Sequence, residues 1–234
     1  MSKRKERREK NELYEKVTRS AARLSVRDRE AGPPHAGELF ADQILALSRV
    51  FTPLLAAPAQ RELPRMKKFR FQLLHEWIVA SLAPGRMADV GGGKGLLAYL
   101  LQQDGWQATV IDPVHQTLPD KYKNIKTGRQ THIPSETLVA RRNLPFSPDM
   151  AQDYDLLVAL HAHGCNIQLV DAAASFGRDV ILLPCCLIQE PLIPPPGVPW
   201  IQALADYAVQ KGFTVLPFRL NFKGQNIGLY LHQG

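Results

Sequence analysis

The sequence predicts an α/β fold in which a mostly parallel sheet of seven strands ends in an antiparallel hairpin. A glycine-rich turn at 87–95 joins a short predicted strand to a helix. Continuous apolar runs at 155–160 and 179–183 are typical of parallel strands that are buried on both faces. Alternating apolar and polar residues at 213–220 and 227–232, separated by a short polar turn, predict the closing hairpin.

The composition fits one globular domain with an extension. The chain has 234 residues, of which 45% are hydrophobic, enough for a full core. No apolar run reaches the roughly 18 residues that span a bilayer, and the charged N-terminus lacks the apolar segment of a secretory signal. Three cysteines are too few for a disulfide framework. We therefore expect a reduced, cytoplasmic protein.

The positive charge is concentrated at the N-terminus. Residues 1–30 contain eleven Lys or Arg and six Asp or Glu, a net of +5 out of +7 for the whole chain. We expect a basic helical arm at 1–32, a helical linker at 33–64 and the main domain at 65–234. In the arm, Tyr14, Val17, Ala21 and Leu24 recur at helical spacing and form a narrow apolar stripe.

Two basic clusters predict contact with a polyanion such as RNA, through neutralisation of phosphates. The alternative is that both clusters only face solvent. The cations of the arm are Lys3, Arg4, Lys5, Arg7, Arg8 and Lys10, and those of the second cluster are Arg65, Lys67, Lys68 and Arg70.

The other elements follow from apolar periodicity and from residues that end helices. Helices are predicted at 37–57, 65–82, 96–103, 135–142, 167–176 and 200–210. Two further strands are predicted at 106–111 and 124–127. Ser135 is the expected N-cap of the helix at 135–142.

The glycine-rich turn has the spacing D-x-G-x-G-x-G, formed by Asp89, Gly91, Gly93 and Gly95, with Gly92 between them. A phosphate-binding P-loop requires Ser or Thr after Gly-Lys, but Lys94 precedes Gly95. A dinucleotide loop requires G-x-G-x-x-G, and position 96 is Leu. The remaining interpretations are another ligand-binding loop and an ordinary strand–turn–helix packed through glycines.

Further polar residues follow the ends of the predicted strands. Asp112 ends the second strand, 23 residues after Asp89, where a carboxylate can accept both hydroxyls of a ribose. The alternative is a turn-initiating aspartate before Pro113. His161, His163 and Cys165 follow the strand at 155–160, and Cys185 and Cys186 follow the strand at 179–183. Ligands of open α/β sheets bind at these carboxyl ends.

Taken together, residues 65–232 resemble the class I S-adenosylmethionine (SAM)-dependent methyltransferases, which have a Rossmann-like fold. The resemblance rests on the loop from Asp89 to Gly95 and on Asp112. It implies SAM as cofactor, with a binding set of Asp89, Gly91, Gly92, Gly93, Gly95, Asp112 and Leu160.

The sequences Leu160-His161 and Pro184-Cys185-Cys186 resemble a narrower branch that includes some tRNA-modifying enzymes. The turn His163-Gly164-Cys165 departs from the Cys-Gly or Pro-Asp of several branch members. The basic arm stands in place of the zinc-finger extension that some tRNA enzymes carry.

Three residues are candidates for catalysis. His161 and His163 could serve as a base toward a hydroxyl or ring nitrogen, the alternative being histidines that only hydrogen-bond the cofactor or the backbone. Cys185 occupies a place comparable to that of the nucleophile of RNA cytosine-5 methyltransferases, although their second Pro-Cys is missing here. The alternative for Cys185 is a small buried thiol.

A metal site is not expected. His161, His163, Cys165, Cys185 and Cys186 offer ligands that suit zinc, but no C-x-x-C pair is present and adjacent cysteines rarely chelate one ion well.

The first functional hypothesis is therefore a SAM-dependent methyltransferase acting on RNA, either tRNA or rRNA. A second hypothesis is the same reaction on a protein or small molecule, and a third is a non-catalytic RNA-binding partner that retains the fold.

Overall fold

A computed structural model describes residues 3–27 and 66–233 of the chain. The helices are α1 (Lys3–Arg27), α2 (Arg70–Ser81), α3 (Leu96–Gln102), α4 (Asn166–Phe176) and α5 (Trp200–Gln210), with 3-10 helices at Met66–Phe69 and Pro148–Asp153. The strands are β1 (Arg86–Val90), β2 (Gln107–Ile111), β3 (Lys121–Lys123), β4 (Gln130–His132), β5 (Ala140–Arg142), β6 (Leu156–Leu160), β7 (Asp179–Leu183), β8 (Thr214–Arg219) and β9 (Ile227–His232). The helix predicted at 37–57 and the predicted linker lie outside the described residues.

Seven strands form one sheet in the order β5-β2-β1-β6-β7-β9-β8. The pairs β5–β2, β2–β1, β1–β6 and β6–β7 are parallel, whereas β9 runs antiparallel to both β7 and β8. β9 is therefore the only reversed strand of this sheet. The predicted fold class is confirmed: a Rossmann-like α/β fold with a mostly parallel sheet of seven strands and a C-terminal antiparallel hairpin.

The central strands are apolar throughout because both faces of the sheet are covered. Leu157 and Val180 pack with α4 and α5 on one face, whereas Val158 and Ile181 pack with α2 and α3 on the other. All five residues of β6 are buried. This two-sided burial is the physical reason for the continuous apolar runs in the sequence.

The N-terminal helix α1 packs against α5 and β8. Val17 and Ala21 are buried in the core, and the hydroxyl of Tyr14 donates a hydrogen bond to the carbonyl of Pro217 at 3.2 Å. Ser20 donates to Asp206 at 2.7 Å. The predicted apolar stripe is thus confirmed at three of its four positions, and the side chain of the fourth, Leu24, is not among those described.

Two predictions between β2 and β6 were wrong. Residues 124–127 form the turn of the β3–β4 hairpin, where the Asn124 side chain accepts hydrogen bonds from the backbone of Lys126 and Thr127. The segment predicted as a helix after Ser135 instead begins with a turn and ends in β5, which pairs with β2. A three-residue edge strand with exposed ends carries no periodicity from which it could be recognised.

No helix in the described residues is both long enough and apolar enough to span a membrane.

A polar cluster at the amino end of β7 makes stability depend on pH. His232 Nδ1 lies 3.0 Å from Asp179 Oδ1, and the hydrogen bond to Asp179 raises the pKa of His232 above its ordinary value. The protonated imidazole therefore stabilises the folded chain at pH values below about 6.5, and this contribution is lost as pH rises through the folded-state pKa.

We predict that the difference in melting temperature between the native chain and His232→Gln is larger at pH 5.5 than at pH 9, to be measured by thermal unfolding. Glutamine carries the same uncharged side chain at both pH values, so the subtraction isolates His232. A difference that does not change with pH would contradict the assignment.

Candidate active site at the carboxyl edge of the sheet

The glycine loop connects β1 to α3 and closes over the side chain of Asp89. A Cβ placed on Gly92 would lie 2.4 Å from Asp89 Cγ, so only glycine fits at this position. Gly91 has a φ of +66°, and a Cβ there would lie 2.7 Å from the Cβ of Ala162, in the turn that follows β6. The main chain of the loop therefore lies directly against the carboxyl ends of β1 and β6, because neither glycine adds a side chain there.

Asp89 lies beneath this loop and is 1% exposed. Burial raises its pKa to about 7, although the backbone N–H of Ala98 and the positive charge of Arg141 act in the opposite direction. Its Oδ2 is buried and has no hydrogen-bond partner among the described residues. A buried acceptor without a donor favours either protonation or the approach of a cation.

Asp112 connects the loop to the end of β2. Its Oδ2 accepts a hydrogen bond from the backbone N–H of Gly93 at 2.9 Å, and its Oδ1 accepts one from Val114 at 2.8 Å. The second bond is the turn-initiating role considered from the sequence. A carboxylate has about four acceptor positions, so Asp112 retains room to accept a ribose hydroxyl as well. That role stays a prediction.

Arg141, in β5, supports the loop from the other side, and the sequence analysis missed it. Its Nη2 donates to the carbonyl of Gly93 at 2.8 Å, while Nε and Nη1 are buried without partners among the described residues. No sequence signal marked this arginine, because its strand is short and was predicted as a helix.

His161 follows β6 directly and has an unusual backbone conformation, with a φ of +58°. Its Nε2 donates a hydrogen bond to the carbonyl of Gln225 at 2.8 Å, and its ring lies edge-on to Phe222. Burial lowers the pKa of His161, and the nearby positive charges of Arg70 and Lys67 also lower it. The neutral imidazole that results has its proton on Nε2 and a free lone pair on Nδ1.

His163 and the two adjacent cysteines form a second group at this edge. His163 Nε2 lies 3.2 Å from Cys185 Sγ, which is 3.6 Å from Cys186 Sγ. Burial, reinforced by Cys186, raises the pKa of Cys185 to about 11, the opposite of what activates a nucleophile. Its catalytic role stays a prediction. Cys165 does not join this group.

The turns that follow β6 and β7 are held together by Glu190. Its carboxylate accepts hydrogen bonds from the backbone N–H groups of Asn166 (2.9 Å) and Ile167 (3.1 Å), at the start of α4. The side-chain amide of Asn166 also donates to Glu190, at 2.6 Å. This contact caps α4 and fixes the loop that carries His163 against the loop that carries the cysteines.

The remaining predicted site residues differ in their surroundings. Leu160 is buried in the core below the edge, and Gly95 starts α3 with a φ of +81°. Lys67 and Lys68 are exposed, whereas Arg70 is half-buried over the ring of Phe71. Arg65 and the side chains of Lys3, Arg4 and Arg7 lie outside the described part of the chain.

Fold and edge together describe a Rossmann-like α/β protein whose carboxyl edge carries a glycine loop, two aspartates and a histidine. No protein-family profile matches the sequence. A protein of Caenorhabditis elegans described as a probable tRNA (uracil-O(2)-)-methyltransferase is 28% identical over 104 residues. That match covers 44% of this chain and 17% of the relative, so the chain spans about one sixth of the relative's length.

Two solved structures show distant likeness. The crystal structure of monomeric WbdD has a TM-score of 0.34 and 12% identity, covering 75% of this chain and 42% of that one. The crystal structure of TnmH has a TM-score of 0.37 and 12% identity, covering 94% and 69%. Neither likeness bears on function, and the fold is defined by the strand order.

We predict that Glu190→Gln lowers the free energy of unfolding by about 1 kcal/mol, because a charged cap of α4 becomes a neutral one. Urea denaturation measures this change. Glu136→Gln is the matched control, since Glu136 is exposed and its hydrogen bond joins only the neighbouring Ser135. Equal effects of the two substitutions would contradict the role of Glu190.

Proposed function

We propose that the protein is a SAM-dependent methyltransferase that modifies RNA, either tRNA or rRNA. The observation that supports this most directly is the glycine loop closed over a buried aspartate at the same edge as a neutral histidine. The partial similarity to a protein described as a tRNA methyltransferase agrees with it.

The residues at the edge fit SAM chemically. The carboxylate of Asp89 lies beneath the loop, where its negative charge favours a cationic group bound above the loop, and Asp112 retains acceptor positions for hydroxyl groups. Because Gly91 and Gly92 have no Cβ, the main chain of the loop lies directly against Ala162 and Asp89 and adds no side chain of its own at these two positions. When bound, SAM supplies an electrophilic methyl group on a sulfonium.

The protein's own contribution is to orient the acceptor and to remove a proton. The carbonyl of Gln225 holds the Nε2–H of His161, which leaves Nδ1 able to accept a proton from a hydroxyl or a ring nitrogen. The buried Asn226 fixes the hairpin loop by donating to the carbonyls of Leu220 and Phe222, at 2.9 and 2.8 Å. The histidine is thus held rigidly at the edge.

The direction of α1 supports the RNA substrate. Arg219, at the carboxyl end of β8, donates to Asn11 at 2.6 Å, while Tyr14 contacts Pro217, nearer the middle of that strand. Residues 3–10 therefore extend past the carboxyl edge by about 12 Å, at 1.5 Å per residue. Lys5 and Arg8 are exposed on this extension, on the same edge as Lys67.

The exposed cations favour RNA as the substrate class. The free cysteines favour a reducing compartment, and we take this compartment to be the cytoplasm.

We predict that Gly91→Ala weakens SAM binding at least about tenfold, since the added Cβ needs to displace the turn at Ala162. Isothermal titration calorimetry measures the affinity. Gly105→Ala is the control, because Gly105 has a similar positive φ of +84° but open space around it. Unchanged affinity in Gly91→Ala, or an equal loss in both variants, would argue against the loop assignment.

We predict that His161→Asn lowers the rate of methyl transfer by about 10²–10⁴-fold and leaves SAM affinity nearly unchanged. Asparagine tolerates the left-handed backbone of this position, so the imidazole is lost without added strain. Transfer of labelled methyl groups to bulk tRNA and rRNA provides the rate. The exposed His132→Asn is the control. A normal rate in His161→Asn would exclude His161 as the base.

We predict that the pair Lys5→Gln and Arg8→Gln reduces the salt dependence of tRNA binding by about 1.4 to 1.8 in log–log slope. The pair Lys16→Gln and Arg19→Gln removes the same charge from the same helix, farther from the edge, and is expected to leave the slope nearly unchanged. Fluorescence anisotropy at several salt concentrations measures both. Equal slopes for the two double variants would contradict the proposed path of the RNA.

A further inference from the structure

The turns after β6 and β7 bring one imidazole and two thiols to a single point. β6 and β7 are parallel neighbours, with Leu160 opposite Leu183, so the residues that follow them leave the sheet side by side. The ligand atoms of His163, Cys185 and Cys186 all lie within 4.8 Å of one another. Within the described residues, this is the only group of three or more such side chains with that geometry.

The distances in this group are close to those of a tetrahedral zinc site. Bonds of 2.3 Å to sulfur and 2.0–2.1 Å to nitrogen imply edges of about 3.8 Å between two sulfurs and about 3.6 Å between nitrogen and sulfur. The observed values are 3.6 Å for the two Sγ atoms and 3.2 Å from His163 Nε2 to Cys185 Sγ. The third edge, between His163 and Cys186, is at most 4.8 Å, so movements of about an ångström or less would accommodate the ion.

The surrounding contacts hold the two turns in place for such a site. Gly164, next to His163, has a φ of +68°, and a Cβ there would lie 2.9 Å from the Cβ of Gln189. Glu190 then joins the same two segments through its hydrogen bonds to Asn166 and Ile167. Metal sites depend on outer contacts of this kind, which fix the ligand-bearing segments.

We propose that His163, Cys185 and Cys186 bind one Zn²⁺ ion, with the fourth coordination position open to solvent or substrate. Three protein ligands and one open position are the arrangement of catalytic rather than structural zinc. Binding displaces the two thiol protons to solvent, and the resulting thiolates balance the charge of the ion, which allows it to lie near the cationic Lys67. This proposal replaces the expectation from sequence that the chain holds no metal, which rested on the missing C-x-x-C and on the adjacency of the two cysteines. The two Sγ atoms nevertheless lie 3.6 Å apart, close to the sulfur–sulfur edge of a tetrahedral site.

The test uses Co²⁺ as a spectroscopic probe of the full chain after chelation. We expect visible bands of a tetrahedral complex and thiolate-to-cobalt charge-transfer bands, both abolished by about one equivalent of Zn²⁺. Cys185→Ser and Cys186→Ser should each remove about half of the charge-transfer intensity, since each removes one of two thiolates. His163→Gln should keep these bands but weaken Co²⁺ binding.

Cys165→Ser is the matched control, because Cys165 is a neighbouring thiol outside the group, and its spectrum should equal that of the native chain. Circular dichroism verifies that each variant is folded, and Cys186→Ser with His163→Gln suffices if Cys185→Ser unfolds. Absence of charge-transfer bands in the native chain, or an equal loss in Cys165→Ser, would overturn the proposal. The assay contains neither SAM nor RNA, so its failure would leave the proposed methyl transfer unaffected.

Discussion

The contact between Asp89 and the glycine loop is the constraint on which the rest of this edge depends. The carboxylate occupies the space that a side chain at Gly92 would need, so the loop closes over a buried acidic group. Burying a carboxylate without full hydrogen bonding costs free energy, which the fold has to offset elsewhere. Buried acidic groups with a raised pKa, like Asp89, are common at functional sites.

Other groups hold the loop from both sides. Asp112 accepts a hydrogen bond from the backbone N–H of Gly93, and Arg141 donates a hydrogen bond to the carbonyl of the same residue. Elsewhere on this edge, the hairpin loop after β8 contacts His161 through the carbonyl of Gln225. Parts of the chain that are more than a hundred residues apart thus meet at one edge, because a parallel sheet collects the carboxyl ends of its strands there.

Much of this arrangement could be predicted from the sequence, because central strands and glycine turns are determined locally. The apolar runs of β6 and β7 reflect burial on both faces, and the D-x-G-x-G-x-G spacing reflects the space under the loop. The apolar stripe of α1 likewise predicted the face that packs on the core. The strand order then follows from the fold class.

The sequence did not reveal what depends on distant partners. β5 is a strand because it pairs with β2, and its own three residues show no apolar pattern. Arg141 acquires its position only through that pairing. The approach of His163 to Cys185 and Cys186 requires two separate turns, and the missing C-x-x-C spacing argued against it. Asp112 differs from these residues, because its turn-forming role depends only on its neighbours in the sequence and could be predicted from Pro113.

The account as a whole requires that the crevice beside Asp89 and Asp112 selects SAM over other adenosine ligands. The most direct measurement is calorimetric titration of the full chain with SAM, S-adenosylhomocysteine, NAD and ATP under one set of conditions. We expect binding of the first two with about one site per chain, and much weaker binding of NAD and ATP, because the loop lacks their phosphate-binding spacings. Tighter binding of NAD or ATP, or binding of none of the four, would contradict the account.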